Sequence, residues 1–281
     1  MRVIDFRAGP TNAKRMFVLS LAQREGVEKV YTLVERDEVA TWVKLGFARE
    51  GSIPGFYKRS DAFLLGCSVD AALRAAPLHS EVRIALSDTG EHLEDVVDMA
   101  AHDLMEKTLA RAKKNAKDIA DRAVPSAKVT PITETEAKRA VEKALRAGRA
   151  LTGFEPFGRD VQRRYFSIAS RGGFELVAST ESQACFGNAF VELLTSPTND
   201  TERLATVASL RALCDKLLDE GVVSCFSLAP SDDLGMAIAF VFNGFRRTGL
   251  LQNHMVVGGT PGTERKDAII WSRKITNPAD E

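Results

Sequence analysis

The chain has 281 residues, about two domains' worth, and its 44% apolar and 27% charged content is that of a globular protein able to bury a core. Lys+Arg and Asp+Glu balance at 38 each, so no global field draws the protein to nucleic acid or to an anionic membrane. Cys67, Cys185, Cys214 and Cys225 lie far apart with no CxxC pair; they read as small buried hydrophobes rather than metal ligands or disulfide partners.

The opening stretch, MRVIDFRAGPTNAKR, lacks the continuous apolar run of a signal peptide. No uncharged apolar segment approaches the roughly 20 residues of a membrane helix, so the cytoplasm is the expected compartment. MRVIDFRA reads as a short strand, and Asn12 opens a helix that runs to Gly26. VEKVYTLVE (27–35) alternates apolar and polar as a strand does. A short helix over 40–45 stops at Gly46, and AFLLGCSV follows as a strand after a turn at 58–61. Residues 71–90 connect to a predicted helix over 91–123, with Leu93, Val96, Val97, Ala100, Leu104, Leu109, Ala112, Ala116 and Ile119 near one face. Pro125 and Pro131 read as a linker. Thr133 and Glu136 form a capping-box signature for a helix ending near Arg146.

Strand patterns then follow at 163–170, 174–180 and 188–195. The helix predicted over 202–220 buries Leu204, Val207, Leu210, Leu213 and Leu217 and stops at Gly221. VVSCFSLAP is a strand, 231–243 a helix ended by Gly244, and LLQNHMVVGG and KDAIIWSRKI are closing strands. One order of parts occurs twice: helix, glycine, strand, helix, Gly-Phe, strand, turn, Asp-Ala, strand. It runs through Gly26, Gly46-Phe47 and Asp61-Ala62, and again through Gly221, Gly244-Phe245 and Asp267-Ala268.

At these Gly-Phe elements the sequence resembles the C-terminal half of a GNAT N-acetyltransferase, and more closely the β-lysine N-acetyltransferase-like proteins. In those, a truncated GNAT-like unit with an "IPGFF" turn precedes a full GNAT domain. Here the turn is Ile53-Pro54-Gly55-Phe56-Tyr57. The later run has Ser231, Gly235-Met236, Phe240, Gly244-Phe245, Gly249-Leu250-Leu251 and Asn253. The resemblance covers 1–70 and 150–275. It implies an α/β fold with a GNAT-like mixed twisted sheet flanked by helices, divided into a partial unit (1–70), a helical connector (71–132) and a GNAT-like domain (133–281).

It also implies an acetyl-CoA site between two splayed central strands, with the pyrophosphate on main-chain N–H groups at a helix N-terminus. By position, Leu194, Thr195, Arg203, Leu204 and Ala205 would contact the cofactor, and Ser231, Asn253 and His254 would line the acceptor pocket. The expected phosphate loop, SPTNDTERLA (196–205), departs from the family pattern because it contains no glycine. Asp200 and Glu202 add carboxylates where a diphosphate would lie, an unfavourable pairing of about a kcal/mol or more. An ordinary N-cap at Asn199, Asp200 or Thr201, with Glu202 complementing the helix dipole, fits these residues better. Phe240 stands where the family commonly has an acid tyrosine, and phenylalanine has no proton to give.

Other chemical signals are weak. His79, His92 and His102 show no metal-ligand spacing, and no metal is expected. Gly258-Gly259-Thr260-Pro261-Gly262 joins two strands and reads as a hairpin turn, and Trp42 reads as packing. Three functions follow. The first is a GNAT-fold protein with lost or altered acetyl-CoA use that binds a small-molecule ligand or a protein partner. The second is an active acyl-CoA-dependent N-acetyltransferase of an amino acid or other small amine. The third is an interaction protein, homodimeric or otherwise, that docks through the 91–123 helix.

Overall fold

The structure, a computed structural model, describes residues 1–3, 11–57, 60–74, 99–151, 161–170, 174–183, 186–257 and 265–275. The chain divides into two compact units, Met1–His102 and Asp103–Glu281.

In the first unit β1 (Arg2–Val3) leads to α1 (Asn12–Arg24), β2 (Lys29–Val34), α2 (Arg36–Lys44), β3 (Ala48–Ile53), β4 (Ala62–Ser68) and α3 (Val69–Arg74). The strands run in the order β1-β2-β4-β3; β1 pairs β2 in parallel and the other pairs are antiparallel. Val18, Leu19, Val30, Trp42, Phe47, Phe63 and Leu65 close one apolar core beneath α1 and α2. Trp42 belongs to it, edge-on to Phe47. The helix read as beginning at Ala40 starts four residues earlier, at Arg36. The N-cap there is Glu35, whose side chain makes no capping bond, so the usual Ser/Thr/Asp/Asn start signal is missing from the sequence.

A buried ion pair crosses this small sheet. Lys29 Nζ donates to both oxygens of Glu50 at 2.7 and 2.8 Å, with side chains only 8% and 11% exposed. Gly66 makes the room: a Cβ there would come within 2.5 Å of Glu50 Oε2.

Helix α4 (Met99–Ala120) crosses from one unit into the next. The second unit continues with β5 (Ala127–Ile132), α5 (Glu134–Arg146), β6 (Gln162–Ser170), β7 (Glu175–Gln183), β8 (Asn188–Leu193), α6 (Asp200–Asp219), β9 (Ser224–Pro230), α7 (Leu234–Phe242), β10 (Arg246–Val256) and β11 (Arg265–Lys274). Its strand order is β10-β11-β9-β8-β7-β6-β5. β8 and β9 are parallel and the other neighbours antiparallel. The α/β class with a mixed sheet flanked by helices is therefore observed. The connectivity β8-α6-β9-α7-β10-β11, with spatial order β8-β9-β11-β10, repeats that of β1-α1-β2-α2-β3-β4 in the first unit.

The sheet carries α5 on one face, where Ala137, Val141 and Ala144 pack on Tyr165 and Val177. Strand alternation turns Trp271 to the other face, where Phe240 of α7 stacks on it at 5.2 Å. Asn243 Nδ2 donates to Val207 O at 3.1 Å and ties α6 to α7.

Two expectations are corrected. The segment with Pro125 and Pro131 is no linker throughout, because 127–132 form β5, paired with β6 from Ala127↔Ser170 to Ile132↔Tyr165. β5 is the last strand at its side of the sheet, where a proline's missing N–H costs no ladder bond. In α4 the buried stripe is Ala101, Met105, Thr108, Leu109, Ala112, Ala116 and Ile119. Leu109, Ala112, Ala116 and Ile119 lie on it as expected, whereas Ala100 and Leu104 are exposed and Ala101 and Met105 take their place. Residues 91–98 of that predicted helix, like His79, His92, Cys185 and the 258–262 turn, lie outside the described residues.

Candidate functional site

The two central parallel strands separate. β8 and β9 are in register only from Asn188↔Ser224 to Phe190↔Phe226. Beyond that point β8 pairs only with β7 through Val191–Leu193, and β9 only with β11 through Ser227–Pro230. Helix α6 begins just past the diverging end of β8, so its N-terminus and the divergence make the natural place for a ligand in this unit.

The loop between β8 and α6 spends its polar groups on the protein itself. Leu194 N–H donates to Val177 O and Leu194 O accepts from Leu151 N–H, so neither main-chain group is left for a cofactor. Thr195 is buried and bridges Ala150. Ser196 N–H donates to Arg149 O. The Arg149 guanidinium returns two bonds to Ser196 O, at 3.2 and 3.0 Å.

Glu202, in the first turn of α6, is the anion of this place. Its Oε2 accepts from Thr198 N–H at 2.8 Å, from Thr198 Oγ1 at 2.9 Å and from Arg149 Nη2 at 2.9 Å. Asn199 is the N-cap and accepts from Glu202 N–H at 3.0 Å. Burial alone would raise the Glu202 carboxyl, but the Thr198 and Arg149 hydrogen bonds outweigh it and hold the group below the ordinary carboxylate range. Asp200 pairs with Arg203 at 2.7 Å. Of the donors around this helix start, Thr198 and Arg149 are turned to Glu202, the Arg203 side chain to Asp200, and the Glu202 and Arg203 N–H groups to Asn199.

Asp233 locks the other side of the loop. Its Oδ2 accepts from Ser196 Oγ at 2.6 Å, and its Oδ1 caps α7 by accepting from Met236 N–H at 3.0 Å. Gly235 serves packing here: a Cβ would lie 2.9 Å from Pro197 Cγ and 3.3 Å from Arg203 Cγ. Of the remaining expected cofactor contacts, Leu204 is half-buried and Ala205 is buried in α6. Beside the loop runs a groove of about 640 Å³ lined by Lys143, Arg149, Phe174, Glu175, Thr195 and Glu202, among others.

The position expected to supply an acid is closed. Phe240 is fully buried, stacked on Trp271 and edge-on to Phe245 at 5.1 Å. The expected acceptor residues converge in part. Ser231 N–H donates to Asp267 O at 2.8 Å, and Asn253 N–H donates to Asp267 Oδ1 at 2.7 Å. Asn253 has φ 47°, the one non-glycine residue with positive φ among the described residues. It sits where β10 loses register with β11 between Leu251 and Met255, a bulge that a local side-chain bond sustains. His254 follows it, half-buried.

One cluster escaped the sequence reading. Arg163 of β6, Ser179 and Glu181 of β7 and Glu192 of β8 share one face of the sheet by register. Arg163 Nη2 donates to Glu192 Oε2 at 2.6 Å, Ser179 Oγ donates to the same oxygen at 2.9 Å, and Arg163 Nη1 lies 3.5 Å from Glu181 Oε1. Glu192 stands two residues past the last β8–β9 pair. Its carboxylate is taken up there by Arg163 and Ser179. The signal available was Glu181 and Glu192 set in strands that otherwise bury both faces, because such charges persist only when paired. Among the described residues no group of three or more His, Cys, Asp or Glu gathers to hold a metal, and no helix is long and apolar enough to cross a membrane.

The sequence matches no protein-family model and no curated protein. Solved structures do match about half of the chain. The ribosomal-protein-S18-alanine N-acetyltransferase of Escherichia coli is 18% identical over 54% of this chain and 95% of its own, with a TM-score of 0.39. The spermidine N-acetyltransferase of Vibrio cholerae, solved with CoA and spermine, is 10% identical over 54% of this chain and 99% of its own, at 0.42. A putative acetyltransferase of Sphaerobacter thermophilus is 13% identical over 54% and 96%, at 0.40.

Proposed function

We propose that this chain is a GNAT-fold protein that has lost ordinary acetyl-CoA use and acts as a ligand-binding or regulatory protein. The carrying observation is the Glu202 carboxylate, gripped by Thr198 and Arg149 at the start of α6. A diphosphate seated there would meet a negative charge and would have to break those bonds. In a half-buried site that opposition is worth at least about a kcal/mol, and more as the local dielectric falls. The buried Phe240 adds a second reason, since the position holds no dissociable proton. The GNAT assignment is supported by the Gly-Phe motifs and by the parallel β8–β9 pair that parts beyond Phe190↔Phe226.

The deciding experiment is calorimetric titration of the wild-type protein with acetyl-CoA. No heat of binding is expected in the micromolar range; micromolar affinity, about 8 kcal/mol of binding free energy, would defeat the proposal.

A second reading has its own observation. In this reading Glu192, beside the parted strands, would exchange its Arg163 bond for an amine, as an active acyl-CoA-dependent N-acetyltransferase of an amino acid or other small amine requires. Turnover of acetyl-CoA with a panel of small amines, lost in Glu192→Gln, would establish it.

A further inference from the structure

Trp271 of β11 is 1% exposed, and its ring is fixed by Phe240, which stacks on it with the planes 15° apart. An indole N–H can only donate, and a buried one usually finds an acceptor. Trp271 Nε1 is buried and bonds to no group among the described residues. Ser227 stands directly opposite Trp271 in the β9–β11 ladder, so both side chains share the face that α7 covers. The Ser227 hydroxyl is likewise buried and unpartnered, on a residue with no exposure at all. Two more hydroxyls of this layer repeat the pattern. Ser209 lies in α6, which Asn243 ties to α7, and strand alternation turns Thr180 of β7 to the face opposite Val177 and α5. Both are fully buried without a partner. Ser227 is also the first β9 residue past the last β8–β9 pair, Phe190↔Phe226, so it stands at the fork of the parted strands.

We propose that this fork is a binding site for one ordered water molecule, which accepts from Trp271 Nε1–H and donates to Ser227 Oγ. Side chains directly opposed on an antiparallel pair have Cβ atoms about 4.5–5.5 Å apart, a span that a single bridging water closes. Buried polar groups in folded proteins are hydrogen-bonded, to protein or to internal water, because a bare one forfeits the bonds it made in solvent. A water site needs two or more polar partners. The indole supplies a donor that its stacked ring cannot turn away, and Ser227 supplies a hydroxyl that can accept. Ser209 Oγ and Thr180 Oγ1 are the unpartnered groups of the same layer to which the water's second hydrogen and second lone pair can turn. All four groups are neutral and sealed from solvent, so they suit water rather than an ion. The bridge fixes the edge of the indole against β9, and with it the Phe240 stack of α7, beside the strand that β8 leaves. It stands whether or not this unit takes acetyl-CoA.

A high-resolution crystal structure of the full chain is the direct test. A water within hydrogen-bond distance of both Trp271 Nε1 and Ser227 Oγ is expected. An indole N–H bonded to a protein oxygen, or a layer without water, overturns the proposal. In solution, isotopically labelled tryptophan should give a Trp271 N–H resonance, identified by its loss in Trp271→Phe, that cross-relaxes with a long-lived water. No such cross-peak in the wild-type protein also overturns the proposal. Ser227→Val fills the site with an isopropyl group, so the cross-peak should vanish and the indole proton should move upfield. A folded Ser227→Val protein with both features unchanged counts against the site. Ser227→Ala leaves more room and keeps the indole donor, so the cross-peak should persist. Its loss there would trace the signal to the serine hydroxyl and overturn the water. If Ser227→Val does not fold, the wild-type structure and the Ser227→Ala signal still decide.

Discussion

The starts of α1 and α6 occupy equivalent places in the repeated connectivity and solve the same problem oppositely. α1 is capped by Thr11, which accepts from Lys14 N–H, and its first turn carries no acid but two buried cations, Lys14 and Arg15. Arg15 sends Nη2 to Ala72 O at 2.5 Å, and Lys14 lies 4.6 Å over the Trp42 ring. Burial lowers the Lys14 ammonium, opposed by Glu38. α6 is capped by Asn199 and followed by Asp200 and Glu202, charges that complement the helix dipole. The first start is closed by packing and the second by its own anions. One strand–helix–strand connection therefore does not prescribe an anion site; the residues that fill its corner decide.

The interiors differ too. The first sheet spans its middle with Lys29–Glu50, and the largest expected effect breaks that pair. Glu50→Ala removes both carboxylate bonds to a buried ammonium and should cost about 3–5 kcal/mol in urea unfolding. Gly66→Ala should be severe on its own and milder in the Glu50→Ala background, because the clashing carboxylate is then gone. If the two substitutions prove additive, the pair is not what the glycine accommodates.

Phe240→Tyr supplies the hydroxyl that the resemblance seen in the sequence leads one to expect at this position. The new hydroxyl would enter the closed stack with Trp271 and Phe245, and a loss of about 1–3 kcal/mol by thermal unfolding, without gain of transferase activity, is expected. Stability unchanged together with new activity would show that the position opens to a substrate.

Glu202→Gln tests the anion at α6, with an expected loss of about 1.5–3 kcal/mol at neutral pH. Because the folded-state carboxyl is lowered below 4.5, its contribution is present above the unfolded value and is lost as pH falls through the lowered one. The wild-type urea midpoint should therefore fall through the acid range, and the difference from Glu202→Gln should shrink there. Asn199→Ala is the smallest change, about 1 kcal/mol, and independent of pH. Together these two separate a charged plug from a simple cap.

Much of the architecture was legible because it is written locally. Period-2 runs marked the long strands, the Thr133–Glu136 capping box forms with both of its bonds, and glycines mark the helix ends at 26, 46, 221 and 244. The absence of glycine in 196–205 and the phenylalanine at 240 were equally plain. Legibility failed where a residue's role depends on distant partners. β5 was masked by a proline that only a sheet edge tolerates. At the start of α4 the stripe runs through Ala101 and Met105 rather than Ala100 and Leu104, because what buries the helix there is not encoded in its own sequence. Arg163, Glu181 and Glu192 come from three strands.

By itself the sequence determined most of the elements, their order, their duplication and the lack of a glycine phosphate loop, since hydrophobic period and turn chemistry act over a few residues. The tertiary structure alone decided that Arg149, 53 positions from Glu202, holds that carboxylate at the head of α6. It alone decided that β8 leaves β9 after three paired residues, and which buried charges meet. Those outcomes depend on register and on the approach of packed layers, which no local pattern specifies.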